Sequence, residues 1–207
     1  DRLYRSLKYT RIDPPITIDE LERVTLEVVE RNESAREPGD DYMVSHMVTR
    51  GEGGTLHQKD HNIVVWIDPL GWERYARYYR QGVPVVIPKT RSLSPAQLDP
   101  KVKHYSRLPS ILADIEAADV DPDSLALMLD LDGNISEGSG SNFFLVSDGV
   151  LKTPDDRSIL KGVSRMTVLE LAKQLEIPTS EEDLQPYDLY NADEAFMSTT
   201  PFCMAPI

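Results

Sequence analysis

Between residues 129 and 146 the chain reads Leu129-Asp130-Leu131-Asp132-Gly133-Asn134-Ile135-Ser136-Glu137-Gly138-Ser139-Gly140-Ser141-Asn142-Phe143-Phe144-Leu145-Val146. Two apolar runs, 126–131 and 142–146, predict strands. Between them, small residues enclose one carboxylate, Glu137, so backbone can approach a neighbour closely there. An Asp-Gly pair such as Asp132-Gly133 is an ordinary hairpin turn. A glutamate enclosed by Gly and Ser at a strand junction is a rarer placement and marks a candidate site.

Outward from this stretch, Ser147-Asp148-Gly149 signals another hairpin turn. Val163, Met166, Leu169, Ala172 and Leu175 then recur at helical spacing. The helix is preceded by Leu160-Lys161-Gly162-Val163-Ser164-Arg165. Glycine followed by a hydroxyl residue at a helix start offers N–H groups and a hydroxyl to an anion, although an N-cap by Ser164 accounts for the segment equally. Met197-Ser198-Thr199-Thr200-Pro201 is a hydroxyl-rich loop that reads as a site or as a plain turn. Upstream, residues 108–118 predict a helix, and Lys103 lies just before it.

The first half is mixed α/β. Ile18, Leu21, Val24, Val28 and Val29 predict a helix over 18–31. Residues 42–49 alternate as a strand does and end in a turn at 51–54; residues 62–67 form a second short run. Residues 73–80 read as helical turns. Residues 82–88 read as a strand that Pro84 assigns to an edge. Residues 89–100 are polar and predict a connection. The organisation expected is a small N-terminal α/β domain over 1–90, a linker over 91–101 and a larger domain over 102–207.

Composition bounds the function. With 22 Lys+Arg against 35 Asp+Glu in 207 residues the net charge is 22 − 35 = −13, which argues against a nucleic-acid binder. No apolar run reaches the roughly 20 residues that a membrane helix needs, and the N-terminus lacks the apolar core of a signal peptide. The single cysteine, Cys203, excludes an intrachain disulfide and fits the cytoplasm; its apolar neighbours suggest a packing role. Trp66, Trp72 and the Tyr75, Tyr78, Tyr79 group suggest a subunit interface. His46, His57, His61 and His104 lack metal-ligand spacing.

Taken in order, these segments resemble the class IV, fold-type IV aminotransferases, the pyridoxal-phosphate family of branched-chain and D-amino-acid aminotransferases. The resemblance rests on 135–144, Asp148-Gly149-Val150-Leu151-Lys152-Thr153-Pro154, Ile159-Leu160-Lys161-Gly162-Val163-Ser164-Arg165 and 192–200, and covers nearly the whole chain. It implies a small α/β domain and a larger one with a β-barrel-like core, pyridoxal 5′-phosphate as cofactor and a homodimer. Lys103 then matches the lysine that carries the cofactor and moves a proton between the substrate Cα and the cofactor C4′. Glu137 matches the carboxylate facing the pyridine nitrogen. Arg2, Val163, Ser164 and Thr200 match the groups that hold the phosphate.

The implied reaction is amino transfer between an aliphatic, branched-chain-like amino acid and a 2-oxo acid. Alternatives are a D-amino-acid or chiral amine aminotransferase, a 4-amino-4-deoxychorismate lyase, and a catalytically silent binding protein, which would have no need of Lys103 and Glu137. Departures keep these open. Where branched-chain enzymes have a tyrosine after the lysine, this chain has Leu108, and 103–108 is closer to the lyase branch, placing Arg107 toward the cofactor 3′-oxygen. The phosphate-binding threonine is followed by Pro201, which has no N–H to offer a substrate carboxylate. Arg50, His57 and Arg107 are the candidates for that carboxylate. Against the family pattern, the sequence starts and stops inside it.

Overall fold

Thr17 and Glu20 close a capping box: the Glu20 N–H donates to the Thr17 hydroxyl (3.2 Å), and the Thr17 N–H donates to the Glu20 carboxylate (2.7 Å). The helix expected over 18–31 therefore begins where its start signals place it. The computed structural model describes residues 1–52 and 60–207, in two units, Asp1–Arg74 and Tyr75–Ile207.

The first unit contains α1 (Arg2–Tyr9), α2 (Ile18–Asn32), β1 (Tyr42–Thr49) and β2 (Asn62–Pro69). The two strands pair antiparallel, in register from Tyr42 opposite Pro69 to Thr49 opposite Asn62. Leu21 on α2 is buried, and the Thr25 hydroxyl meets His46 Nε2 of β1 at 2.9 Å. The turn expected at 51–54 is described only through Glu52.

The second unit follows α3 (Glu73–Ala76), which crosses the boundary. It comprises α4 (Tyr78–Gln81), β3 (Val85–Val86), α5 (Leu108–Ala118), β4 (Leu125–Leu129), β5 (Ile135–Gly138), β6 (Asn142–Ser147), β7 (Val150–Pro154), α6 (Val163–Gln174), β8 (Thr179–Glu182), α7 (Pro186–Tyr190), β9 (Glu194–Thr199) and β10 (Cys203–Pro206). One sheet has the order β10-β9-β6-β7-β8 and the other β3-β4-β5. The strand β6 is central, and both its faces are buried. Phe143 and Leu145 join Leu127, Ile135 and Met197 on one side. Phe144 joins Leu151 of β7 with Val168 and Ala172 of α6 on the other, and stacks on Phe196 at 4.9 Å. A strand buried on both faces reads as a continuous apolar run rather than an alternating one, which is why 142–146 stands out in the sequence. The β6–β7 turn has positive φ at Asp148 (51°) and Gly149 (75°), as an Asp-Gly hairpin requires.

The structure departs from the sequence expectations at several points. The unit boundary falls at Arg74/Tyr75 rather than at 90, because Tyr75, Tyr78, Val83, Val85 and Ile87 pack into the second core. Residues 91–101 do not form a loose linker: the Ser92 N–H donates to the Leu129 carbonyl (3.0 Å), and Val102 is buried. Just before them, the Lys89 and Thr90 N–H groups donate to the Glu116 carboxylate (2.7 and 3.0 Å). Tyr75 and Tyr78 turn toward the second core, with ring centroids 5.8 and 5.7 Å from Phe202, while Tyr79 stays exposed. Cys203 is exposed, because the chain reverses over 200–202 and sends Phe202, not Cys203, into the core. The strand expected over 82–88 shortens to Val85–Val86, which pairs on one side only, with β4; that is the edge position Pro84 favours.

Because Phe143 is fully buried between elements of the larger unit, Phe143→Ala is expected to cost about 3–5 kcal/mol of stability. Urea unfolding followed by far-UV circular dichroism measures it.

Candidate active site

A tight polar turn sets the position of β5. Asp130, 8 % exposed, accepts the Asp132 and Asn134 N–H groups, both at 2.9 Å, and pins the β4–β5 loop. The Ser136 hydroxyl donates to the buried Ser158 carbonyl (2.7 Å), tying β5 to the segment before α6. Glu137 follows. Its Oε2 accepts the Leu160 N–H (2.9 Å) and the Asn142 amide N–H (3.3 Å), and the same Asn142 nitrogen donates to the Leu160 carbonyl (2.9 Å). Burial pushes the Glu137 carboxyl up to about 7, opposed by the Leu160 N–H and then by the charges of Lys103 and Arg165. A carboxylate so placed favours a neighbour that brings a positive charge or a proton.

Lys103 is exposed, and its charge acts both on Glu137 and on His104, whose pKa burial and that charge lower. Arg107 precedes α5 and donates to the Ser139 carbonyl (3.0 Å), in the loop that follows Glu137. The Thr199 hydroxyl donates to the adjacent Gly140 carbonyl (2.8 Å). Asn142 lies opposite Ser198 in the β6–β9 register, so Thr199, which ends β9, and Thr200 after it lie at the same end of the sheet as Asn142. Ser198 is 1 % exposed, and its hydroxyl has no hydrogen-bond partner among the described residues.

The start of α6 belongs to the same group, because Leu160 is held by both Glu137 and Asn142. No side chain caps this helix, and its first internal bond runs from the Met166 N–H to the Gly162 carbonyl (3.0 Å). The N–H groups of Val163 and Ser164 therefore precede the helical ladder and point toward the positive end of the helix dipole. Arg165, 3 % exposed, anchors this end: it donates to the Pro154 carbonyl (2.9 Å), the Thr153 hydroxyl (3.3 Å) and the Glu181 carboxylate (2.6 Å).

Of the residues singled out in the sequence, Lys103, Arg107, Glu137, Val163, Ser164 and Thr200 all belong to the second unit and to the elements just described. Arg2 opens α1 of the first unit, half-buried, its pKa lowered by that burial. Arg50 donates to the Thr10 carbonyl (2.5 Å) and the Arg11 carbonyl (3.3 Å), which occupies its guanidinium with backbone. His57 lies outside the described residues. Sequence reasoning assigned no role to Asn142, Arg165 or Ser198. Each sits in a quoted motif, but apart from the Asn142–Glu137 contact the side-chain partners of Asn142 and Arg165 lie 11 to 18 positions away, and Ser198 has none among the described residues.

A family model, "Amino-transferase class IV", matches residues 1–207. The chain is 37 % identical over 215 residues to a putative branched-chain-amino-acid aminotransferase of Methanocaldococcus jannaschii, covering all of this chain and 70 % of that protein. Among solved structures it resembles the branched-chain aminotransferase of the archaeon Thermoproteus uzoniensis with norvaline (TM-score 0.86, 31 % identity, covering 100 % and 68 %). It also resembles the Thermobaculum terrenum branched-chain amino acid aminotransferase in its PLP-form (TM-score 0.86, 26 % identity, covering 100 % and 66 %). The chain thus spans about two thirds of the length of these proteins, and the fold is the mixed α/β architecture of their class. Among the described residues no helix is long and apolar enough to cross a membrane.

The Glu137 carboxyl has a higher pKa in the folded chain than in the unfolded one. Between about pH 4.5 and 7 the folded state keeps a proton that the unfolded state releases, so the group's contribution is full at low pH and lost as pH rises through 7. In ligand-free protein, Glu137→Gln is expected to raise stability at pH 8 by about 1–3 kcal/mol and to leave it nearly unchanged at pH 4.5. Urea titrations at the two pH values decide this; an equal gap at both refutes the assignment.

Proposed function

Since the chain belongs to the class IV aminotransferases, we propose that it moves an amino group between an aliphatic, branched-chain-like amino acid and a 2-oxo acid with pyridoxal 5′-phosphate as cofactor. The observation that carries this reading is the grouping of Glu137, Lys103 and the uncapped start of α6 around one sheet edge. The donor set fits that cofactor. A carboxylate drawn out of water suits a protonated ring nitrogen, a helix start suits a phosphate dianion, and the buried, unpartnered Ser198 hydroxyl leaves a polar atom to satisfy.

When bound, the cofactor ring supplies an electron sink for the carbanion at the amino acid Cα. Lys103 would hold the cofactor and move the proton at the substrate Cα. Glu137 keeps the proton on the pyridine nitrogen. The N–H groups of Val163 and Ser164 and the Ser164 and Thr200 hydroxyls would take the phosphate. Of the three candidates for the substrate carboxylate, Arg50 is engaged by backbone carbonyls and His57 is outside the described residues. Arg107, with one N–H on Ser139, retains the donors to meet it or the cofactor 3′-oxygen.

The relatives named as branched-chain enzymes support the aliphatic substrate. A second reading, elimination of pyruvate from 4-amino-4-deoxychorismate, draws on the likeness of 103–107 to the lyase branch. A D-amino-acid or amine substrate is a third. The reducing cytoplasm suits the exposed Cys203. Mixing the protein with pyridoxal 5′-phosphate is expected to give a visible absorption band that Lys103→Ala abolishes. Glu137→Gln should keep the cofactor but lose most of the rate, with turnover on branched-chain L-amino acids in the presence of 2-oxoglutarate. A colourless wild-type protein overturns the cofactor reading, and pyruvate release alone overturns the amino-transfer reading.

We propose also that the protein is a homodimer and that α5 contributes to the interface. Ala113 and Ala117 pack inward on Ala126 and Met128 of β4, while Leu108, Ile111, Leu112 and Ile115 remain exposed. A row of large apolar side chains on one helix face is costly in water and is typical of a covered surface. Leu112→Glu, placed on the outer face, is expected to shift the mass in analytical ultracentrifugation from dimer to monomer. A monomeric wild-type protein refutes the proposal.

A further inference from the structure

One side chain touches both ends of the site. Asn142, the first residue of β6, is 5 % exposed. Its amide nitrogen donates to Glu137 Oε2 (3.3 Å) and to the Leu160 carbonyl (2.9 Å). Its amide oxygen lies against Gly162, where an added Cβ would sit 2.1 Å from it. Gly162 has φ −61° and ψ 143°, a conformation open to any residue. The need for glycine there is therefore steric: the Asn142 oxygen occupies the space a side chain would use. Glu137 stands at one end of this arrangement, and Gly162, the residue immediately before the N–H groups of Val163 and Ser164, at the other.

We infer that Asn142 is a positioning residue that fixes the spacing between the ring-facing carboxylate and the phosphate-binding start of α6. The inference rests on the cofactor reading above, in which Glu137 meets the pyridine nitrogen and α6 the phosphate. A rigid cofactor with a ring nitrogen at one side and a phosphate at the other requires both to be met at once. Two hydrogen bonds from a single amide and its steric contact with Gly162, with the Leu160 N–H also on Glu137, provide that constraint. The charged groups that act on Glu137 are Lys103, before α5, and Arg165, on α6; Asn142 adds a neutral donor and so orients the carboxylate without changing the charge of the site.

Binding of pyridoxal 5′-phosphate to the full chain, titrated by its visible absorption, tests this in four proteins beside wild type: Asn142→Asp, Asn142→Ala, Gly162→Ala and the Asn142→Ala/Gly162→Ala double variant. Asn142→Asp keeps the shape, removes the donor and sets a second carboxyl beside Glu137. It is expected to weaken cofactor binding about tenfold or more. It should also move the acid limb of the pH dependence of the cofactor absorption upward by at least one pH unit, because two adjacent carboxyls share a proton. Gly162→Ala is expected to weaken binding about tenfold in the wild-type background but less than about threefold in the Asn142→Ala background, since the opposing oxygen is then gone. An equal factor in both backgrounds overturns the spacing role. So does an Asn142→Asp protein with wild-type affinity and pH dependence, a measurement that stands even if Gly162→Ala fails to fold. A wild-type chain that takes up no cofactor overturns the functional reading instead, so the two failures are separable.

Discussion

The Glu137 carboxylate, held between β5, β6 and the 160–162 segment, is the group around which the second unit is arranged. A carboxylate removed from water is costly unless donors replace its hydration. Two donors do so here, the Leu160 N–H and the Asn142 amide. Two further cations, Lys103 and Arg165, act at longer range, yet burial still dominates and the group sits near pH 7. The remaining deficit is one positive partner. Under the proposed function a protonated nitrogen would supply that partner, so the stability given up at this position would serve binding.

The surrounding packing follows from the same requirement. To keep Leu160 on Glu137, the chain before α6 must be fixed, and Arg165 fixes it from inside by bonding two residues of β7 and one of β8. To keep β5 in place, Asp130 binds its own loop and Ser136 binds Ser158. The apolar layers on both faces of β6 then hold these polar bonds at fixed separation, because close-packed side chains leave little room for adjustment.

How much of this was legible in the sequence depends on the range of the interaction. Local signals were read well: the helix beginning at Ile18, the Asp148-Gly149 turn and the helix at 108–118 each depend on residues within about four positions. The doubly buried β6 was legible because burial on both sides leaves an uninterrupted apolar run. The boundary at 74/75 was not. The segment 75–88 is mostly short and interrupted by Pro84, and only its distant partners Phe202, β4 and β10 show which core it joins. The polar stretch 89–101 misled for the same reason, since its hydrogen bonds run to Glu116 and Leu129. Glu137 itself stood out by its small neighbours, whereas Asn142 did not, because its role comes from Leu160 and Gly162, 18 and 20 positions on.

The net charge of −13 first excluded nucleic acid and otherwise said little. The structure gives it a location. Exposed acids such as Glu22 and Glu181 lie on the outer surfaces, whereas the site elements carry Lys103, Arg107 and a helix start. An acidic protein can hold an anion because a few directed donors at short range outweigh a screened net charge, which fades over about 8–10 Å in salt. Substrate choice then turns on how the second anion, the amino-acid carboxylate, is met. Pro201 offers no backbone N–H after Thr200, and under the proposed function Arg107 is the side-chain candidate for that carboxylate. Arg107 is tied through Ser139 to the loop between Glu137 and Asn142, and Thr199 grips the same loop at Gly140. A guanidinium fixed at one N–H and open at the others offers a planar pair of donors that a backbone amide does not.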